Sequence, residues 1–191
     1  DTSEFLSQYH DIPFKGEVPE NITPNSPVRN YPYYMNFAGE RLLITGGGHI
    51  ANRLDRPGTI MAFENNTWNS FQEEGISEQT KHRYDDINCI VQDPKDAAHH
   101  FAASAGEGIY EFKDGKFINW YSMHNSPLES AVPNEPWADS YVRVNGLIYD
   151  KENNLWMVSC ETQHAVSVLM KNGDWASLHY PEIVKASNFG R

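Results

Sequence analysis

A tight turn that returns at nearly even spacing constrains this chain more than any other feature. Asn65-Asn66, Asp114-Gly115 and Asn172-Gly173 each sit between two short apolar or aromatic runs. Such pairs mark β-hairpins, because a type I′ turn needs positive φ at both central positions and Asn, Asp and Gly tolerate it. Around each turn the same order can be read: strand, polar turn, strand, loop, strand, tight turn, strand.

In the first unit the strands are expected at 35–37, 41–45, 59–63 and 68–71. In the second they fall at 87–91, 100–104, 108–112 and 117–121, with a polar turn over 93–98. In the third they fall at 141–150, 155–160, 165–170 and 175–180. Asn25-Ser26-Pro27-Val28 returns as Asn125-Ser126-Pro127-Leu128, which supports the period. Four antiparallel strands every ~40–50 residues is the spacing of propeller blades, whereas a β-sandwich would not repeat its turn chemistry in register. No window carries a sustained 3.6-residue apolar stripe.

The fold expected is therefore all-β, with three to four four-stranded blades that belong to a larger propeller. Residues 1–30 read as the end of a preceding blade (a strand near Phe5 to Tyr9) and a linker, followed by blades at 31–80, 81–130 and 131–191. Propellers close with about four to eight blades. The rest of the ring is expected from more of the same polypeptide or from another copy, and a chain that begins at Asp1 reads as a processed or excised piece.

Composition narrows the function. The 26 acidic and 15 basic side chains give a net charge of -11, which excludes the basic surface that nucleic acids and anionic membranes require. Apolar runs are as short as Leu42 to Ile44, so no segment can insert across a bilayer. Cys89 and Cys160 lie in apolar stretches and read as free thiols used as small hydrophobes.

The stretch from Arg143 to Trp156, RVNGLIYDKENNLW, resembles the two-component-regulator propeller repeat of Bacteroidetes, with Asp150, Asn153, Asn154, Leu155 and Trp156 at the repeat's turn and strand opening. In that repeat the Trp is expected to bury its large surface between adjacent blades. The second unit keeps Asp93 but has His100-Phe101 in place of Leu-Trp, and the first keeps only Leu42-Leu43. Together with the 125–128 linker and the hairpin ending in Trp175, this resembles PorZ-like surface components of the type IX secretion system and the sensor ectodomains of hybrid two-component systems. The resemblance implies an exported protein, periplasmic or at the cell surface, that binds or scaffolds. A glycan-active propeller lyase or hydrolase is the alternative.

Gly46-Gly47-Gly48-His49 follows a strand but lacks the Gly-Lys-Ser/Thr and helix of a phosphate loop. Of eight histidines only His99 and His100 are adjacent, and strand neighbours face opposite ways, so neither metal nor cofactor is expected. No Gly-x-Ser-x-Gly is present and no catalytic residue is assigned. First strands line a propeller's channel. Aligning Asn88 with Asn145 matches Tyr84 with Tyr141 and Asp86 with Arg143, all at one offset. With Trp137 these five form the expected ligand-binding rim, for a glycan or a protein, since Tyr, Trp and Arg carry much of the energy of recognition surfaces.

Overall fold

The computed structural model describes residues 25–48 and 53–180. The strand expected near Phe5 to Tyr9, together with His49 and the stretch after Tyr180, lies outside them. Twelve strands form three four-stranded antiparallel sheets, each in simple up-and-down order. The first holds β1 (Tyr34–Ala38), β2 (Arg41–Thr45), β3 (Ile60–Glu64) and β4 (Thr67–Ser70). The second holds β5 (Ile87–Asp93), β6 (Asp96–Ser104), β7 (Ile109–Lys113) and β8 (Lys116–Tyr121). The third holds β9 (Val144–Tyr149), β10 (Leu155–Ser159), β11 (Val166–Leu169) and β12 (Trp175–Leu178). Helix is confined among the described residues to α1 (Ile76–Thr80) and a 3-10 turn, Ala138–Ser140. Neighbouring sheets meet through their first strands, β1 against β5 and β5 against β9, which is the blade geometry of a propeller.

Turn chemistry sets the registers. Asn65 and Asn66 both have positive φ (50° and 59°), as do Asp114 and Gly115 (53° and 70°), so both hairpins have the mirror-image turn their sequence demands. The third turn differs from expectation: only Gly173 is left-handed (φ 89°). Asn172 Oδ1 takes the Asp174 amide at 3.1 Å, and the loop widens to 170–174. The polar turn of the second unit is tighter than expected, because Asp93 and Asp96 carboxylates accept the Lys95 and Ala98 amides (2.8 and 3.1 Å) and let both strands run on. The strand expected from Tyr141 begins only at Val144. Val142 leaves its own sheet to bridge Glu107 of the sheet before.

Two apolar cores lie between the sheets. Leu43, Ile60 and Ala62 face Ile90, Ala102, Tyr110 and Phe112 across the first seam, with Phe71, Ile76 and Tyr84 closing it. Cys89, Phe101, Ala103 and Ile109 face Val144, Leu155 and Met157 across the second, with Leu128 and Val142. Both cysteines are free, and burial raises the Cys89 thiol to about 12, which keeps it protonated and inert. The middle sheet is covered on both faces. Among the described residues the outer two are covered on one: Met35 and Phe37 of β1 are 68% and 67% exposed, and Ile148 of β9 is 67% exposed.

The repeat motif has a direct physical reading. Asp150 accepts the Asn154 amide (2.8 Å), the Asn154 side-chain amide (2.8 Å) and the Trp156 indole N–H (2.7 Å), while Asn153 turns the chain at φ 70°. The Trp156 hydrogen bond and those of Asn154 hold the Asp150 carboxyl down at about 2. The sequence places Trp156 between blades. In this chain it lies half-buried on the open face of the third sheet.

Candidate functional site

An up-and-down sheet sends its second-to-third connection, and its exit to the next sheet, to the same end. Among the described residues that end carries 46–48 with 53–59, and the loops 71–86, 105–108, 122–143 and 160–165, whereas the opposite end carries short turns at 39–40, 65–66, 94–95, 114–115, 150–154 and 170–174. All five residues singled out from sequence fall at the long-loop end. It is where side chains from different sheets converge.

Backbone bonds between sheets build this end. Across the first seam the Asp86 amide donates to the Arg56 carbonyl and the Gly58 amide to Tyr84 (both 2.9 Å); across the second, Val142 donates to Gly106 and Gly108 to Val142 (2.8 and 2.9 Å). Gly58 is required here, since a Cβ would stand 2.6 Å from the Tyr84 ring. Asp85 and Val142, related by the same offset as Tyr84 and Tyr141, each bridge back to the sheet before, Asp85 antiparallel to Pro57 and Val142 parallel to Glu107. The repeat therefore puts a carboxylate at the first seam where it puts an apolar side chain at the second.

That carboxylate anchors an ionic network. Arg53 binds Asp85 Oδ1 (3.0 Å) and Glu107 Oε1 (2.6 Å), and Arg83 binds Asp85 Oδ2 and Asp55 Oδ1 (2.6 Å each). Glu107 is fully buried, its second oxygen faces His82 Nδ1 at 3.3 Å, and its carbonyl takes the Trp120 indole N–H at 2.6 Å. The His82 and Trp120 rings stack with centroids 4.4 Å apart. Burial pushes the Asp85 carboxyl up, against the pull of Arg53 and Arg83. Burial likewise opposes the Arg53 charge, but Glu107 and Asp85 outweigh it and raise its pKa. Asp86 is not part of this exchange: its oxygens accept the amides of Leu54, Asp55 and Arg56 (3.0, 3.0 and 3.1 Å) and fix that loop. The oxygens of Asp55, Asp85 and Asp86 approach one another closely enough for a cation. Arg53, Arg83 and three backbone amides already contact those oxygens.

The five expected residues thus divide. Tyr84 packs into the first core against Tyr110 (centroids 4.9 Å), and Asp86 is fully buried; they support the rim from within. Trp137 is 54% exposed at the start of the 3-10 turn. Tyr141 lies under the Arg143 guanidinium at 4.9 Å, and Arg143 pairs with Glu161 at 3.3 Å. Arg53, Glu107, His82 and Trp120 were missed because Arg53 is far along the chain from both of its partners. The signal available was a break in the repeat: Asp85 at the place of Val142.

The fold and this end of it define a class: a β-propeller segment with one loop-rich end and two blade faces that no other described sheet covers. Comparisons with known proteins agree. The chain matches, at TM-score 0.75 and 25% identity over 89% of its length, PorZ, an essential bacterial surface component of the type IX secretion system of Porphyromonas gingivalis. It also matches the extracellular domain of a proposed one-component system of B. thetaiotaomicron, at TM-score 0.55 and 14% identity over 87% of the chain, a likeness of fold alone. The resemblance read from the repeat motif is thereby borne out in structure. The chain spans 23% and 21% of those two proteins. No family model and no curated protein matches it. Among the described residues no helix is long and apolar enough to cross a membrane.

Proposed function

We propose that this chain is a non-catalytic propeller module of an exported protein, and that the protein is a surface component of a type IX secretion system. The observation that carries the reading is the contrast between the two structural relatives: 25% identity with TM-score 0.75 against 14% with 0.55. Further blades cover the open faces of the first and third sheets, and the exposed Trp137 with Tyr141 and Arg143 contacts a glycan or protein partner. Tyr84 and Asp86 hold that rim in place. Every carboxylate of the buried network is committed to an arginine or to backbone amides, which supports binding over catalysis.

Deletion of the gene in the bacterium that carries it tests the reading. Cargo of the secretion system should then accumulate inside the cell instead of reaching the surface. Normal cargo display with loss of a transcriptional response to a nutrient would instead mark a sensor ectodomain. Product release from a glycan panel by the intact protein, abolished in Asp85→Asn, would mark an enzyme.

A further inference from the structure

Glu129, His164 and His179 meet at the long-loop end of the third sheet, apart from the ionic network. The Glu129 carboxylate is fixed by the amides of Gln163 and His164, which donate to Oε2 at 2.9 and 3.0 Å. Partial burial opposes its charge, but these amides and the His164 ring hold its carboxyl below the ordinary value. Its other oxygen accepts from His164 Nδ1 at 2.6 Å. An ionised carboxylate only accepts, so the Nδ1 of a neutral His164 carries the proton and Nε2 carries a free lone pair. This is the carboxylate–imidazole arrangement that orients metal-binding histidines.

The second imidazole is beside the first. Leu178, the last paired residue of β12, lies opposite Val166, so His179 continues past the strand next to the loop that carries His164. The two ring centroids are 5.0 Å apart, with planes inclined at 49°. With metal–nitrogen bonds of about 2.0–2.1 Å, two imidazoles on one tetrahedral ion have centroids roughly 5 Å apart. The rings already stand at that separation, and His179 is exposed.

We propose that His164 Nε2 and His179 bind a divalent ion of the zinc class, with Glu129 orienting His164 from the outer shell and water completing the coordination. The ion ties the β10–β11 loop to the end of the edge strand β12. It was invisible to motif reading because the two histidines sit on opposite sides of a whole hairpin, and the carboxylate comes from the loop before the sheet begins.

Titration of the tag-free protein with zinc chloride at neutral pH, followed by calorimetry, tests this. Saturable binding is expected for the wild type, with affinity falling at least about tenfold in His164→Ala and in His179→Ala and about tenfold in Glu129→Gln. His124→Ala, which removes an exposed histidine paired with Asp139, should bind as the wild type does. Zinc should also raise the melting temperature of the wild type but not of His179→Ala, whose exposed position leaves folding intact. No saturable binding by the wild type, or affinity unchanged in either histidine variant, would overturn the proposal.

Discussion

Val91 and Phe101 on the middle sheet, and Ile148 and Trp156 on the third, occupy the same places in their ladders. Phe101 is buried and Val91 packs on the second core, whereas Ile148 stands in the open and Trp156 is half-covered. The residue types are equally apolar, so burial in this architecture is decided by the adjacent sheet and not by the blade's own sequence. The first sheet shows the same contrast, since Met35 and Phe37 on one face of β1 are exposed while Tyr34 and Ala38 on the other pack against the first core. Stability should therefore concentrate at the two seams.

The sharpest way to break that comparison is a pair of equal truncations. Phe112 is fully buried among Phe71, Tyr84 and Phe117, so Phe112→Ala should cost about 3–5 kcal/mol in urea unfolding. In the 191-residue chain by itself, Phe37→Ala removes the same atoms from an exposed site and should cost less than about 1 kcal/mol. Equal losses would mean that the first sheet's outer face is not open in solution. Next in size is Arg53→Ala, which leaves Glu107 buried without its cation and should cost about 3 kcal/mol.

The seams also differ from the turns in their response to acid. His100 is buried at the first seam against Phe71 (centroids 4.9 Å). Burial, with Arg41 nearby, depresses its pKa from 6.5 to about 4. The unfolded chain therefore takes up this proton first as pH falls. The stability it represents is complete above pH 6.5 and is lost between 6.5 and about 4, roughly 3 kcal/mol at about 1.4 kcal/mol per unit. Asp150 acts in a lower range: its support of the third sheet's turn is complete above pH 3.8 and fails only toward about 2. Wild type and His100→Leu should accordingly diverge between pH 6.5 and 4. Parallel pH profiles would show that another group controls acid sensitivity.

Strand order and the hairpins were legible because each rests on local chemistry: Asn65-Asn66 and Asp114-Gly115 need no distant partner to turn. Asp150, Asn154 and Trp156 likewise act within a single turn of the chain. The site was less legible. Tyr84 and Asp86 carry residue types common at binding rims, but the first seam takes both inside, and nothing in their neighbours on the chain announces Gly58 or the amides of Leu54 to Arg56. The network around Glu107 and the Glu129–His164–His179 group join residues from separate strands and loops. Spacing in sequence holds no record of such meetings; the deviation of Asp85 from its repeat is the nearest to one.

The smallest expected change in stability should accompany the largest change in association. Ile148, Trp156, Val158 and Val166 line an apolar groove of about 320 Å³ on the outer face of the third sheet, notched by Gly146 on β9. On the middle sheet the corresponding notch is filled by Cys89, which packs against the third sheet. A groove of this chemistry, left open together with the exposed face of β1, should draw two copies into head-to-tail contact. Ile148→Thr removes apolar surface that no described residue covers, so unfolding free energy should move by no more than about 0.5 kcal/mol. Sedimentation at micromolar concentration should nonetheless shift from assemblies toward monomer, with reduced binding of a hydrophobic dye. If the wild type is already a clean monomer that binds no dye, the outer faces are covered in solution and the contrast between middle and outer sheets does not hold.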